Sequence, residues 1–112
     1  MRIAIPLVQG RLSLHFGHCE EFAIVDVHSE EKRISGIHTE AAPGHAPGVL
    51  PQWLKQQNVN VIIASGMGSR AQMLFAENGI DVVIGAAAGG PEEIATAYLK
   101  GTLQTGANIC DH

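Results

Sequence analysis

The sequence predicts an α/β domain, a mixed five-stranded sheet covered by three helices. Three observations lead there. The first forty residues hold three apolar runs of β type separated by polar turns. From residue 49 onward, strand-like and helix-like apolar patterns alternate. Only five aromatics (three Phe, one Trp, one Tyr) stand among 112 residues that are 46% apolar, so Val, Ile, Leu and Ala must build the core. A chain of this size makes one domain, here residues 1–112 with a tail from about 102, and buries roughly two-thirds of its unfolded surface without needing metal or disulfide staples.

Each element has its reason. Residues 1–8 are an apolar run, and Pro6 inside it suggests an edge strand or a bulge, because proline gives no N–H to a ladder. Residues 10–20 read as a loop. Strands follow at 22–27 and 32–39, and the polar turn Ser29-Glu30-Glu31 between them suits an antiparallel hairpin. Residues 41–48, rich in Pro and Gly, make an irregular connection. Val49, Leu50, Trp53 and Leu54 then share a helical face, with Pro51 tolerated in the first turn. A buried strand spans 59–64. After the tight turn Gly66-Met67-Gly68, Ser69 is the expected N-cap of a helix reaching Asn78 and closed by Gly79. Another strand covers 80–84. Past the small-residue loop 85–90, Pro91 falls at a first helical position, followed by Glu92 and Glu93 at the positive end of the dipole. That helix ends near Lys100, with Gly101 beyond it.

The later strand–helix units require parallel pairing through right-handed crossovers. Ligands of such sheets bind beyond the carboxyl ends of the parallel strands. The loop after the first strand, the Gly66 loop and the Gly85 loop all leave such ends and are expected to line one crevice.

Net charge is −4 with neutral histidines, and no segment concentrates Lys or Arg, which argues against nucleic acid. No apolar run is long enough to cross a bilayer, and the first residues read as a strand and not as an export signal. Two cysteines in such a chain fit a reducing compartment, so the expected location is the cytoplasm.

The chemistry-bearing residues are two clusters of soft ligands. His15-Phe16-Gly17-His18-Cys19 lies near the start, and Cys110-Asp111-His112 ends the chain. Thiolate and imidazole hold copper, zinc and iron–sulfur species. In an extended loop His15 can converge with His18 or Cys19 on one ion, with Gly17 supplying backbone freedom. The alternative is a loop whose Phe16 and Cys19 pack inside while both histidines are merely solvated. The terminal cluster is weaker by itself, because chain ends fray, though a thiol and imidazole there can swing to a distant ligand. A Cys19–Cys110 disulfide is disfavoured in a reducing compartment. Gly66-Met67-Gly68-Ser69-Arg70-Ala71 follows a strand and opens a helix as a dinucleotide fingerprint would. The next strand, however, offers no carboxylate for a ribose. Anion binding at the helix start, with Arg70, is what remains. Gly89 and Gly90 close a loop without side-chain chemistry, which either simply turns tightly or lets a bulky ligand approach the backbone. No Ser, His and Asp set can be assembled, and the adjacent acidic pairs read as solvated surface, so the chain is not expected to be an enzyme. His28, His38 and His45 carry no assignment.

These residues resemble a known family. Met1-Arg2-Ile3-Ala4-Ile5-Pro6, His15-Phe16-Gly17 followed by Phe22-Ala23-Ile24-Val25-Asp26-Val27, Gly66-Met67-Gly68-Ser69-Arg70-Ala71, Gly79-Ile80-Asp81-Val82, Tyr98-Leu99-Lys100-Gly101-Thr102-Leu103 and the Cys110-Asp111-His112 ending follow in order. Together they resemble the dinitrogenase iron–molybdenum cofactor biosynthesis family, close to the orange proteins of sulfate reducers. The resemblance implies a ribonuclease-H-like three-layer fold. It also implies binding of a metal–sulfur cluster, either iron–molybdenum or iron–sulfur in type or a molybdenum–copper sulfide. The family's metal-site histidine maps onto His15. Roles for His18, Cys19, Cys110 and His112 as further ligands, and for Gly17, Gly66, Met67, Gly68, Ser69, Arg70, Gly89 and Gly90 as the cofactor cradle, are inferred from the residues themselves and not assigned by the family. No radical-SAM CxxxCxxC segment is present, so the chain resembles a stand-alone carrier. The expected partners are the cluster and a protein that receives it, with a homodimer left open and neither nucleic acid nor membrane involved. The competing reading is a thiol-based redox or metal-ion sensor using Cys19 and Cys110.

Overall fold

A computed structural model describes residues 1–44 and 48–106. The elements are β1 (Arg2–Val8), β2 (Arg11–Leu12), a 3₁₀ turn (Phe16–His18), β3 (Glu21–His28), β4 (Arg33–Ala41), α1 (Val49–Gln56), β5 (Val61–Ile63), α2 (Ser69–Glu77), β6 (Asp81–Val83) and α3 (Pro91–Lys100). Five strands lie in the order β4-β3-β1-β5-β6, and β2 hairpins onto the end of β1. The first three long strands pair antiparallel, while β1–β5 and β5–β6 are parallel. This mixed sheet with three helices is the predicted α/β class and has the ribonuclease-H-like topology.

Both faces of the sheet are buried, so the central strands carry apolar residues almost without interruption. One face packs Ala4, Phe22, Ile24 and Ile62 against Leu50 and Leu54 of α1 and Phe75 of α2. The other packs Ile3, Ile5, Val25 and Ile63 against Ile94 and Ala95 of α3. All three phenylalanines lie on the first face, where Phe16 meets Phe22 and Phe75 edge-on at centroid distances of 6.2 and 5.5 Å. Such pairs each add about 0.5–1.5 kcal/mol beyond burial.

Two expectations needed correction. Pro6 is neither at an edge nor in a bulge: it stands in the central strand β1, opposite Phe22. Its carbonyl accepts the Ser13 amide at 2.9 Å, whereas Leu7 turns its carbonyl to Glu20 at the head of β3. Successive residues of a strand point their polar groups to opposite sides, so the missing N–H of Pro6 faces away from β3. On that side β5 pairs with β1 only as far as Ala4. The ring therefore costs no bond to β3 or β5 and forgoes only the return bond to Ser13, which lies opposite Pro6 in the hairpin. The second correction is β2, read as loop in the sequence. Leu7 pairs with Leu12 and Val8 with Arg11, leaving Gln9 and Gly10 as a two-residue turn. Both have positive φ, 53° and 79°, the geometry that matches strand twist in tight hairpins. Gln seldom adopts it, which hid the turn.

Candidate functional site

The carboxyl ends of β1, β5 and β6 do meet. The Phe16 amide donates to the Gly66 carbonyl at 2.9 Å, forming a parallel bridge between His15 and Gly66. The Leu12 amide donates to Gly89 at 3.0 Å, and the Gly85 amide to Ser65 at 2.8 Å. Backbone hydrogen bonds thus join the three loops that the sequence places on one crevice.

Within the first loop, residues 16–18 form a single 3₁₀ turn, closed by His18 N–H to His15 O at 3.0 Å and Cys19 N–H to Phe16 O at 3.2 Å. Side chains three residues apart eclipse in that geometry. Phe16 and Cys19 therefore share the inward side, 8% and 3% exposed, whereas His15 and His18 share the outward side. The two imidazole centroids are 5.7 Å apart, with planes inclined at 47°. Ser13, buried beneath them, donates its hydroxyl to the His15 carbonyl at 2.7 Å.

The turn places Cys19 on the side away from the outward histidines. Its side chain packs in the core with Phe16, Phe22 and Met67 instead of joining the histidines. Burial pushes its thiol up to about 11 from an ordinary 9.0, so it is protonated at neutral pH. Among the described residues no three His, Cys, Asp or Glu side chains gather closely enough to hold a metal ion. Cys110, His112 and His45 lie outside the described residues.

The Gly66 loop differs from expectation at two points. Met67 is fully buried in the core, so only its backbone can serve a ligand, and its carbonyl already accepts Gln72 Nε2 at 2.9 Å. Gly68, not Ser69, is the N-cap of α2, and no side chain caps the helix. Ser69 is the first helical residue and, like Gly68 and Arg70, is exposed. The first amides of a helix have no intrahelical acceptor, and the dipole makes that end attractive to anions. In the third loop Gly89 is buried and Gly90 partly so. Gly85, with φ of 80°, lies against the chain returning from α3: Gly106 N–H donates to its carbonyl at 2.6 Å, and Thr105 bridges Ala86.

Residues 1–101 match the family described as Dinitrogenase iron-molybdenum cofactor. The chain belongs to that family. An uncharacterized protein of Methanocaldococcus jannaschii, MJ0580, is 36% identical over 85 residues, covering 73% of this chain and 72% of its own length. The crystal structure of PH0822 superposes with a TM-score of 0.85 at 29% identity, over 94% of each chain. The apo orange protein of Desulfovibrio gigas superposes with a TM-score of 0.73 over 96% of this chain and 93% of its own. At 19% identity the latter likeness shows the fold alone.

Sequence reasoning gave Ser13 no role and missed its hydrogen bond to the His15 carbonyl. Its alternative reading, with Phe16 and Cys19 inside and both histidines outward, is the arrangement the turn makes. The available signal was spacing: an aromatic between two histidines three apart must face opposite to both if the segment turns as a 3₁₀ helix.

Proposed function

We propose that the protein binds and carries a metal–sulfur cluster for assembly, storage or transfer, and does not catalyse a reaction. The observation that supports this is the His15–Gly66 bridge, which joins two outward imidazoles to the loop that opens α2. A metal sulfide is a polyanion with soft metal edges. Imidazole nitrogens suit the metals, while the uncapped start of α2 and the Arg70 guanidinium suit the sulfides. A metal–nitrogen bond is about 2.0–2.1 Å, so two imidazoles on one ion place their centres roughly 4.5–6.5 Å apart. The observed 5.7 Å falls in that range.

In this reading His15 and His18 ligate, Gly17, Gly66 and Gly68 admit the cluster to the backbone, and Gly89 and Gly90 form the opposite wall. Cys110 and His112 are further proposed ligands. Gly106 rests on Gly85 in the third loop, and the four residues from there to Cys110 span at most about 14 Å. The proposed cargo is of the iron–molybdenum, iron–sulfur or molybdenum–copper sulfide type, with a protein partner receiving it in the cytoplasm. Burial of Cys19 in its protonated form counts against the thiol-sensor alternative. No described helix is long and apolar enough to cross a membrane.

Anaerobic reconstitution with thiomolybdate and copper, or with iron and sulfide, tests the proposal. The expected product is coloured and carries about one cluster per chain or per dimer by metal and sulfide analysis. Colourless, metal-free protein under all these conditions would remove the carrier reading.

A further inference from the structure

We infer that Ser13 is a positioning residue that sets the spacing of His15 and His18, so that both imidazoles reach one metal centre. The inference rests on the carrier reading above and deepens it. Ser13 is 3% exposed, an unusual place for serine. Its amide is fixed to the Pro6 carbonyl at the end of β1, at 2.9 Å, which makes its hydroxyl an extension of the rigid central strand. That hydroxyl donates to the His15 carbonyl at 2.7 Å.

The His15 carbonyl and the Phe16 amide belong to one planar peptide unit. Its C=O is held by Ser13, and its N–H is held by Gly66 at 2.9 Å. β1 and the β5 loop thus clamp this peptide plane from its two ends. The same carbonyl accepts the His18 amide at 3.0 Å, using both of its lone pairs. One acceptor therefore fixes the Cα–Cβ direction of His15 through the plane and that of His18 through the turn. Without the hydroxyl the plane is held at its N–H end and by the turn itself, and it can rock about the Phe16–Gly66 bond. The two rings then lose their common target while Phe16 keeps the loop on the core.

Copper(II) alone is the probe, with electron paramagnetic resonance to count coordinated imidazole nitrogens. Signals are assigned by their loss in His15→Ala and His18→Ala. The native protein and Ser13→Thr, which keeps the hydroxyl, are expected to show two nitrogens from this pair. Ser13→Ala and Ser13→Val are expected to show one, with copper affinity reduced at least tenfold. Ser13→Thr and Ser13→Val share a shape, so comparing them cancels any packing cost. Two nitrogens at native affinity in either hydroxyl-free variant would overturn the inference, as would a native protein that does not bind copper through both rings. If no hydroxyl-free variant folds, nuclear magnetic resonance of the native protein decides. A slowly exchanging Ser13 hydroxyl proton close to the His18 amide supports the clamp, and its absence overturns it. Failure of cluster reconstitution beside an intact two-imidazole copper signal would count against the carrier reading and leave the role of Ser13 standing.

Discussion

Phe16 and His15 are neighbours with opposite duties, and substitution should separate them. His15 is exposed and Phe16 is 8% exposed among Phe22 and Phe75. His15→Ala should abolish cluster retention yet change apo-protein stability by under about 0.5 kcal/mol, as exposed substitutions do. Phe16→Ala should cost about 3–5 kcal/mol and weaken retention as well, because the turn loses its anchor. Chemical denaturation of both variants checks the contrast. Cys19 gives a second expectation at this scale. With its thiol held up at about 11, it should alkylate slowly in the folded protein at pH 8 and rapidly once denaturant unfolds the chain. Because the folded value is raised, the fold's advantage from Cys19 is intact below the ordinary 9.0 and is lost as pH rises from there through about 11. Cys19→Ala should flatten that alkaline decline in a pH series of thermal midpoints.

The returning segment after α3 depends on one backbone site. Gly101 ends α3 at φ of 73°, Leu103 packs on the α3 face of the sheet, and Gly106 hydrogen-bonds to Gly85. A Cβ at Gly85 would collide with the Gly106 carbonyl, and its φ of 80° suits glycine. Gly85→Ala should therefore destabilise the fold by about 1–2 kcal/mol from the left-handed backbone alone and release the segment from Ala86. Faster hydrogen exchange at Gly106, with protection in β1 and β3 retained, would show the release. Unchanged exchange there would mean that the contact does not hold the segment. Gly10, by contrast, has φ of 79° with open space around a Cβ, so its requirement is conformational only.

Across the molecule, the end opposite the His15, Gly66 and Gly85 loops is tied by Arg2. Its guanidinium donates to Asp26 Oδ1 at 2.7 Å and to the Gln57 carbonyl at 2.6 Å, linking β1, β3 and the end of α1. The hydrogen bond from Arg2 holds the Asp26 carboxyl below its usual range. A depressed carboxylate contributes above its unfolded value, about 3.9, and that contribution is lost as pH falls through the folded value. The pair is partly exposed, with side chains 31% and 40% accessible, so its worth is roughly 0.2–1 kcal/mol. Asp26→Asn should lower the thermal midpoint slightly at pH 7, and the gap from the native protein should close as pH falls below the depressed folded value. A gap that persists at acid pH would show that the charge of Asp26 is not what it supplies.

Local pattern alone settled the fold class, because every long element carries its own signal. Pro91 and Gly101 bracket α3, Gly79 closes α2, and unbroken aliphatic runs mark strands buried on both faces. Pattern also put the three loops at one end, since parallel pairing leaves no other direction for them. It could not orient the side chains of residues 15–19. Histidine, phenylalanine and cysteine all tolerate either side of a loop, and only the 3₁₀ turn, fixed by Ser13, itself tied to β1, and by Gly66 beyond β5, sends the imidazoles out and the thiol in. Pro6 was misplaced for the same reason. Proline forbids a hydrogen bond on one side of a strand, and only tertiary pairing decides which side needs one.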